Sequence, residues 1–280
     1  MANTGVSDVT STIQTVISEL TTQTLIQESV ALAMAGIWDR SGEVGPGMDT
    51  LDMILLSELA IQDVNEDGSA MTPQTITPVS AGLVLNQHKS VPFSITKRAS
   101  LQSRIDLLAR TVQNGLRSLA AQVDDYVFSE CISNAGDTNV TAAADALEAI
   151  RLAAKYFDEQ NVPKAMRTMV ASPGFLWDDL LATNNVIRAN EFGSSDPIRV
   201  SSVGNIFGIE VFESSSSSLP DDGFLALGME ACAFARQRAV SFSEQEQVLG
   251  ERYDYTVTHL YGAKSTVATT NPRIYVYDPA

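Results

Sequence analysis

Leu101, Ile105, Leu108, Val112, Leu116, Leu119, Val123 and Val127 recur at steps of four, three, four, four, three, four and four residues. That spacing follows the 3.6-residue period and predicts one amphipathic helix over about 100–133, with Arg104, Arg110, Gln113, Arg117 and Asp124 off the apolar stripe. Ser100 reads as its cap, and Asn134 with Gly136 as its stop. Roughly 33 residues at a rise of 1.5 Å make about 50 Å, nearly three times the mean helix. Continuing a heptad from Ile105 puts Gly115, Gln122 and Tyr126 on the seam, which argues against a coiled coil, and the arginines exclude a membrane span. What remains is a helix lying along a sheet as the backbone of an elongated domain, with Gly115 a place for close approach.

Around this helix the pattern changes type several times. From Ser7 to Ala35 a helical period runs through Ile13, Val16, Ile17, Leu20, Leu25, Ile26, Val30 and Leu32, weakened by threonines, and reads as an arm. Gly36, Gly42, Gly45, Pro46 and Gly47 then break the chain, and a short apolar turn follows at Leu51 to Leu59. Glu58 to Val79 reads as a two-stranded hairpin with an acidic tip at Asn65, Glu66, Asp67 and Gly68. Pro73 and Pro78 suit only edge positions, so this hairpin is expected to project, without a core of its own to join, until a neighbouring molecule covers it.

Leu83, Leu85, Val91, Phe93 and Ile95 form a strand pattern leading into the long helix. Beyond it, Leu147, Ile150, Ala154 and Phe157 mark a helix ending before Pro163; Met166 to Ser172 reads as a buried strand, and Phe175 to Leu181 as another helix. A polar loop, Asn184 to Ser202, precedes strands at Ile206 to Phe212, Phe224 to Leu227 and Ala231 to Arg238, with serines 214 to 218 as a loop. Tyr253, Tyr255, Val257, His259 and Tyr261 share one face of a long strand, and Ile274 to Tyr277 is the last. The predicted class is α+β, in two lobes.

The 280 residues, 44% hydrophobic, are enough for a substantial core, and no basic-then-apolar leader opens the chain, so it is read as cytosolic when made. On that reading Cys131 and Cys232 are buried thiols, and the sequon-like Asn139, Val140, Thr141 carries no sugar. The formal charge of -16 argues against gripping nucleic acid through phosphates. It is unevenly spread: residues 1–88 hold eleven acids and one base, Arg40. Such a surface solubilises, or slides past a polyanion such as packed DNA.

Candidate chemistry is sparse. Asp63, Asn65, Asp67 and Gly68 open a calcium-loop pattern, but Pro73 and Gln74 stand where its last ligands should be, so the stretch reads as an acidic hairpin tip. The two histidines, His88 and His259, sit in strand patterns with no nucleophile motif near them. Gly42, Gly45 and Gly47 lack the spacing and the leading strand of a dinucleotide fingerprint and are treated as a hinge. The adjacent acids Asp124 and Asp125, Asp178 and Asp179, and Asp221 and Asp222 do not share a helix face and read as solvated surface or element ends. No catalytic, cofactor or metal residue is assigned, and the chain is expected not to be an enzyme.

The order of parts, together with specific stretches, resembles the Hong Kong 97-like major capsid protein of tailed phages. "HKSVPFSITKRASLQSRIDLLARTVQNGLRSLAAQVDDYVF" is similar to the strand and spine helix of that family, and "NVPKAMRTMVASPGFLWDDLL" to a strand and helix of its axial lobe. "VGNIFGIEVFESSSS" resembles its G-x-x-x-G-x-x-V strand, and "YTVTHLYGAKSTVATTNPRIYVYD" its closing strands. The resemblance covers nearly the whole chain. It implies an N-terminal arm (1–42), an extended loop (43–82), a peripheral domain (83–138 and 239–271) holding the spine helix, and an axial domain (139–238 and 272–280). It implies hexamers and pentamers of an icosahedral shell around double-stranded DNA, located in the virion, with assembly in the host cytoplasm; an encapsulin-like compartment shares the fold. An arm beginning at Met1 leads us to expect a separate scaffolding protein, beside a portal and a decoration protein. No lysine precedes Lys89, so covalent cross-linking through the extended loop is not expected. Glu58 to Val79 and Asn184 to Ser202 are the expected contact segments, between capsomers and at the capsomer centre.

Overall fold

The computed structural model describes residues 29–56, 73, 78–103, 107–180, 204–267 and 270–279. In chain order these hold strands β1 (Ile37–Asp39), β2 (Thr50–Leu56), β3 (Pro78–Val84) and β4 (Gln87–Thr96), helices α1 (Lys97–Gln102) and α2 (Leu107–Ser133), strand β5 (Ala135–Asn139), helix α3 (Ala146–Glu159), strand β6 (Arg167–Ala171), a π-helical turn (Phe175–Leu180), and strands β7 (Asn205–Ile206), β8 (Ile209–Glu213), β9 (Phe224–Leu227), β10 (Cys232–Gln247), β11 (Arg252–Ser265) and β12 (Asn271–Tyr277). The class is α+β, as the pattern predicts. Little of the predicted arm helix lies within the described residues; its end is a single 3-10 turn, Ala31–Ala33.

The long helix begins later than its stripe suggests. Thr96 ends β4 and accepts a hydrogen bond from the Ala99 N–H at 3.2 Å, so helix starts at Lys97 and Ser100 lies inside α1 rather than capping it. Ser103, at ψ 137°, then breaks the helix, leaving Leu101 86% exposed and outside any core. α2 runs 27 residues, about 40 Å. From there the stripe holds: Leu116, Leu119, Val123 and Val127 are buried. Asn134 closes the helix through its Nδ2, which donates to the Glu130 carbonyl at 2.8 Å. Gly136 belongs instead to β5, a strand that its Ala, Gly, Asp, Thr and Asn residues do not advertise.

Three sheets are present among the described residues. The four-stranded one, ordered β1-β10-β11-β4, lays Val240, Phe242, Tyr255 and Val257 against Leu116, Leu119 and Ala120 of α2. Phe93, Tyr255 and Phe242 stack across its strands at 5.2 and 5.6 Å. β10 continues nine residues past the predicted end at Arg238, because Val240 and Phe242 resume the alternation and β11 pairs with the polar residues through Gln247. The six-stranded sheet is ordered β5-β12-β9-β6-β8-β7, and Ala149, Ile150, Ala153 and Phe157 of α3 pack with Met169, Ala171, Phe224 and Tyr275. The predicted strand from Ile206 to Phe212 is instead a tight hairpin, reversed at Phe207 (φ 52°) and Gly208 (φ 82°).

One cluster joins these layers: Val123, Val127, Phe128 and Cys131 of α2 pack with Phe234 and Tyr261 of the first sheet and with Val170, Leu225, Ile274 and Val276 of the second.

The third sheet is a two-stranded ribbon, β2 with β3, in register from Thr50 opposite Val84 to Leu56 opposite Pro78. Leu51 to Leu56 is therefore strand and not a short apolar turn. The acidic tip at Asn65 to Gly68 lies outside the described residues. The base of the ribbon packs on the body: Leu51, Met53, Ala81, Leu83 and Leu85 lie with Ala233 and Ala235, on the face of β10 opposite Phe234, while the hairpin expected at Glu58 to Val79 falls almost wholly outside the described residues. Contact is close enough that a Cβ on Gly262 would stand 2.3 Å from the Val84 carbonyl oxygen.

Candidate assembly surfaces

Asp124 falls on the buried side of α2, four residues after Ala120 and three before Val127, and is 5% exposed. Its carboxylate accepts hydrogen bonds from the Ser29 hydroxyl at 2.5 Å and from the Val30 and Ala31 N–H groups at 3.0 Å each. It thereby satisfies the free N–H groups at the start of the 3-10 turn and ties Ser29 to Ala31 to α2. Burial pushes this carboxyl above its usual range, against the lowering pull of its three donors.

Asp125, one residue on, faces the serine loop. Its carboxylate accepts from the Ser216 hydroxyl and from the Ser217 N–H at 3.0 Å, while Ser218 Oγ donates to its carbonyl at 2.9 Å. This pair of acids is thus a clasp with two sides, which corrects the reading of Asp124 and Asp125 as solvated surface. The i, i+3, i+4 position of Asp124 relative to Ala120 and Val127 was the sequence signal for it.

At the far end of the four-stranded sheet, β10 and β11 meet in a tip whose Val248 and Leu249 are 71% and 104% exposed. The tip is held rigidly. Glu251 takes a left-handed conformation (φ 45°) and its carbonyl accepts from the Lys97 N–H at 2.9 Å, while Lys97 Nζ reaches Glu246 at 2.5 Å. Val248 and Leu249 thus stand in solvent on a turn tied to Lys97 at the start of α1.

The remaining predicted residues separate in space. His88 is exposed; His259 is 1% exposed, stacked on Tyr261 at a centroid distance of 4.9 Å, and neither ring nitrogen has a hydrogen-bond partner among the described residues. Burial first, and then the Arg236 charge, lower its pKa to about 4. Cys131 and Cys232 are buried free thiols. Asp178, Asp179, Asp221 and Asp222 are exposed, as expected. Gly42 lies in a 3-10 turn, Ser41–Glu43, and Gly47 takes φ 80°. Asp63, Asn65, Asp67, Gly68, Gln74 and the loop Asn184 to Ser202 lie outside the described residues; Pro73 is described and exposed. Among the described residues no group of three or more His, Cys, Asp or Glu side chains is placed to hold a metal ion, and no helix is long and apolar enough to cross a membrane.

No protein-family model and no curated protein matches the sequence. Solved structures do match the fold. A chain from Mycobacterium phage Che8 superposes with a TM-score of 0.70 at 20% identity, over 83% of this chain and 85% of that one. The capsid of Cyanophage P-SCSP1u gives 0.67 at 13% identity over 88% and 86%. The capsid of Ralstonia phage GP4 gives 0.63 at 12% identity over 86% of each. Over more than four fifths of each chain, this protein has the fold of a tailed-phage major capsid protein.

Proposed function

We propose that the chain is the repeating subunit of an icosahedral phage shell, assembling with copies of itself into hexamers and pentamers that enclose double-stranded DNA, and that its place is the virion. The observation that carries this reading is the fold likeness over both chain lengths. A structural role, not a catalytic one, follows from the same likeness. The described parts agree with it: β2 and β3 form a two-stranded ribbon seated on the four-stranded sheet, and Val248 and Leu249 stand exposed at the β10–β11 tip.

On this reading residues 1–42 are the arm, 43–82 the extended loop, 83–138 with 239–271 the peripheral domain and 139–238 with 272–280 the axial domain. The four-stranded and six-stranded sheets follow this division in outline, with β1 inside the range of the arm, β5 inside that of the peripheral domain and β10 crossing the 238/239 boundary. The acidic first third, with eleven acids against one base, suits a wall along which DNA must slide. A separate scaffolding protein, a portal and a decoration protein complete the proposed set of partners. Electron microscopy of the purified protein tests the reading: closed shells are expected, and a compact monomer at every concentration would overturn it.

A further inference from the structure

The six-stranded sheet carries different chemistry at its two ends. β6 and β8 run parallel and β9 returns between β6 and β12, so all the strand starts at Arg167 and Ile209 lie at one end, with the ends at Ala171, Glu213 and Tyr277 at the other. Four residue steps separate them, about 13 Å of strand.

At the first end the turn between β7 and β8 places Phe207 at φ 52°, a conformation disfavoured for a bulky side chain and normally given to Asn, Asp or Gly. The ring is 55% exposed. It borders a groove of about 560 Å³ along α3 that also contains Arg151, Lys155 and Lys164. These cations pair with Glu148, Glu159 and Asp158 at 2.7, 3.4 and 3.5 Å, yet remain 59%, 64% and 80% exposed, and Asp158 is shared with the buried Arg167 at 2.8 Å.

At the second end lies a cavity of about 440 Å³ walled by Leu219, Pro220 and Pro279 and rimmed by Asp221, Asp222 and Asp278. Asp178 and Asp179 stand nearby: burial, then Asp222 and Asp178, push the Asp179 carboxyl up. One end is an aromatic knob beside three exposed cations, two of them paired with Asp158 and Glu159 in the same groove. The other is an apolar socket beside three aspartates.

We propose that Phe207 of one copy seats in the Leu219, Pro220, Pro279 socket of the next, with Arg151 and Lys155 of α3 and Lys164 beyond it facing the aspartates of the rim. Knob and socket lie at opposite ends of one sheet, so the contact is head-to-tail and forms a ring where the rotation between copies closes. An aromatic anchor filling an apolar pocket within a charged rim is the usual anatomy of a strong contact, and the opposed charges set its register. This rests on the shell reading and adds to it the side chains that close the capsomer.

Two sets of variants test the contact. Phe207→Asn puts a residue that favours this backbone conformation in place of the knob; the unassembled subunit should melt at the same or a higher temperature, while the protein concentration needed for assembly rises roughly tenfold or more, the equivalent of about 1.4 kcal/mol per contact. Lys155→Glu with Lys164→Glu, or Asp221→Lys with Asp278→Lys, should each impair ring formation, and all four changes in one chain should restore it. Assembly of Phe207→Asn at the wild-type concentration, or failure of the fourfold variant to recover beyond either pair, overturns the contact. In either case wild-type shells would leave the capsid reading standing, whereas a wild type that forms no shell counts against that reading alone.

Discussion

The Ser29 hydroxyl donates to Asp124 Oδ1 at 2.5 Å across 95 positions of sequence, and together with the Val30 and Ala31 N–H groups it fills one buried carboxylate. Removing the acceptor leaves those donors buried without partners. Asp124→Ala is expected to destabilise the unassembled subunit by about 2 to 4 kcal/mol, and Ser29→Ala by about 1 kcal/mol. Urea denaturation of both variants checks this; equal effects would contradict a carboxylate that serves three donors.

His259 makes stability fall in mild acid. Its folded pKa is lowered to about 4 whereas the unfolded chain titrates near 6.5, so the unfolded state takes up the proton first. The contribution is fully present above about 6.5 and is lost as pH falls toward about 4, reaching roughly 3 kcal/mol. His259→Phe, which keeps an aromatic ring against Tyr261, should flatten the wild-type slope of unfolding free energy over this interval. An unchanged slope would show that the ring is not held neutral.

Why some of this was legible and some not follows from how far each signal reaches along the chain. The α2 stripe from Leu116 onward, the α3 period and the one-faced run from Tyr253 to Tyr261 repeat within a few residues, and each lies where its period puts it. β5 has no such signal, since Ala135 to Asn139 become strand only through parallel pairing with β12, more than a hundred residues on. Phe207 hides its turn because it is the wrong residue type for one. The clasp at Asp124 and Asp125 depends on serines about 90 to 95 positions away on both sides, so only the helical phase of Asp124 hinted at it.

The two thiols should be unreactive while the chain is folded. A hydrogen bond shared with Cys232, and then burial, hold the Cys131 thiol well above its usual range, which leaves almost no thiolate at neutral pH. An aromatic disulfide reagent is expected to titrate no cysteine in the native protein and two in denaturant. Rapid native labelling of Cys131 would mean that the core between α2 and β10 opens readily.

Leu249 at the β10–β11 tip touches solvent over its whole side chain. Leu249→Asp should change subunit stability by no more than about 0.5 kcal/mol. Shell yield should drop all the same, read by sedimentation. Normal yield would mean that the tip stays uncovered in the assembly.

Gly262 is where the ribbon meets the sheet, with the Val84 carbonyl oxygen 2.3 Å from the position of an added Cβ. Gly262→Ala must push the ribbon away and is expected to cost about 1 to 3 kcal/mol. Thermal melting measures the loss; an unchanged midpoint would show that the ribbon is only loosely seated.

The shared cluster around Val123, Val127, Phe128 and Cys131 has a geometric corollary for a closed surface. Because one end of α2 is packed into both large sheets, tilting either sheet against the other would have to break a dry, continuous core. In a closed shell of the proposed kind, the changes of angle between flat faces and sharp vertices would then fall between subunits and not within this core. The same rigid block can then occupy places of different curvature, with the joints and not the blocks taking up the angle.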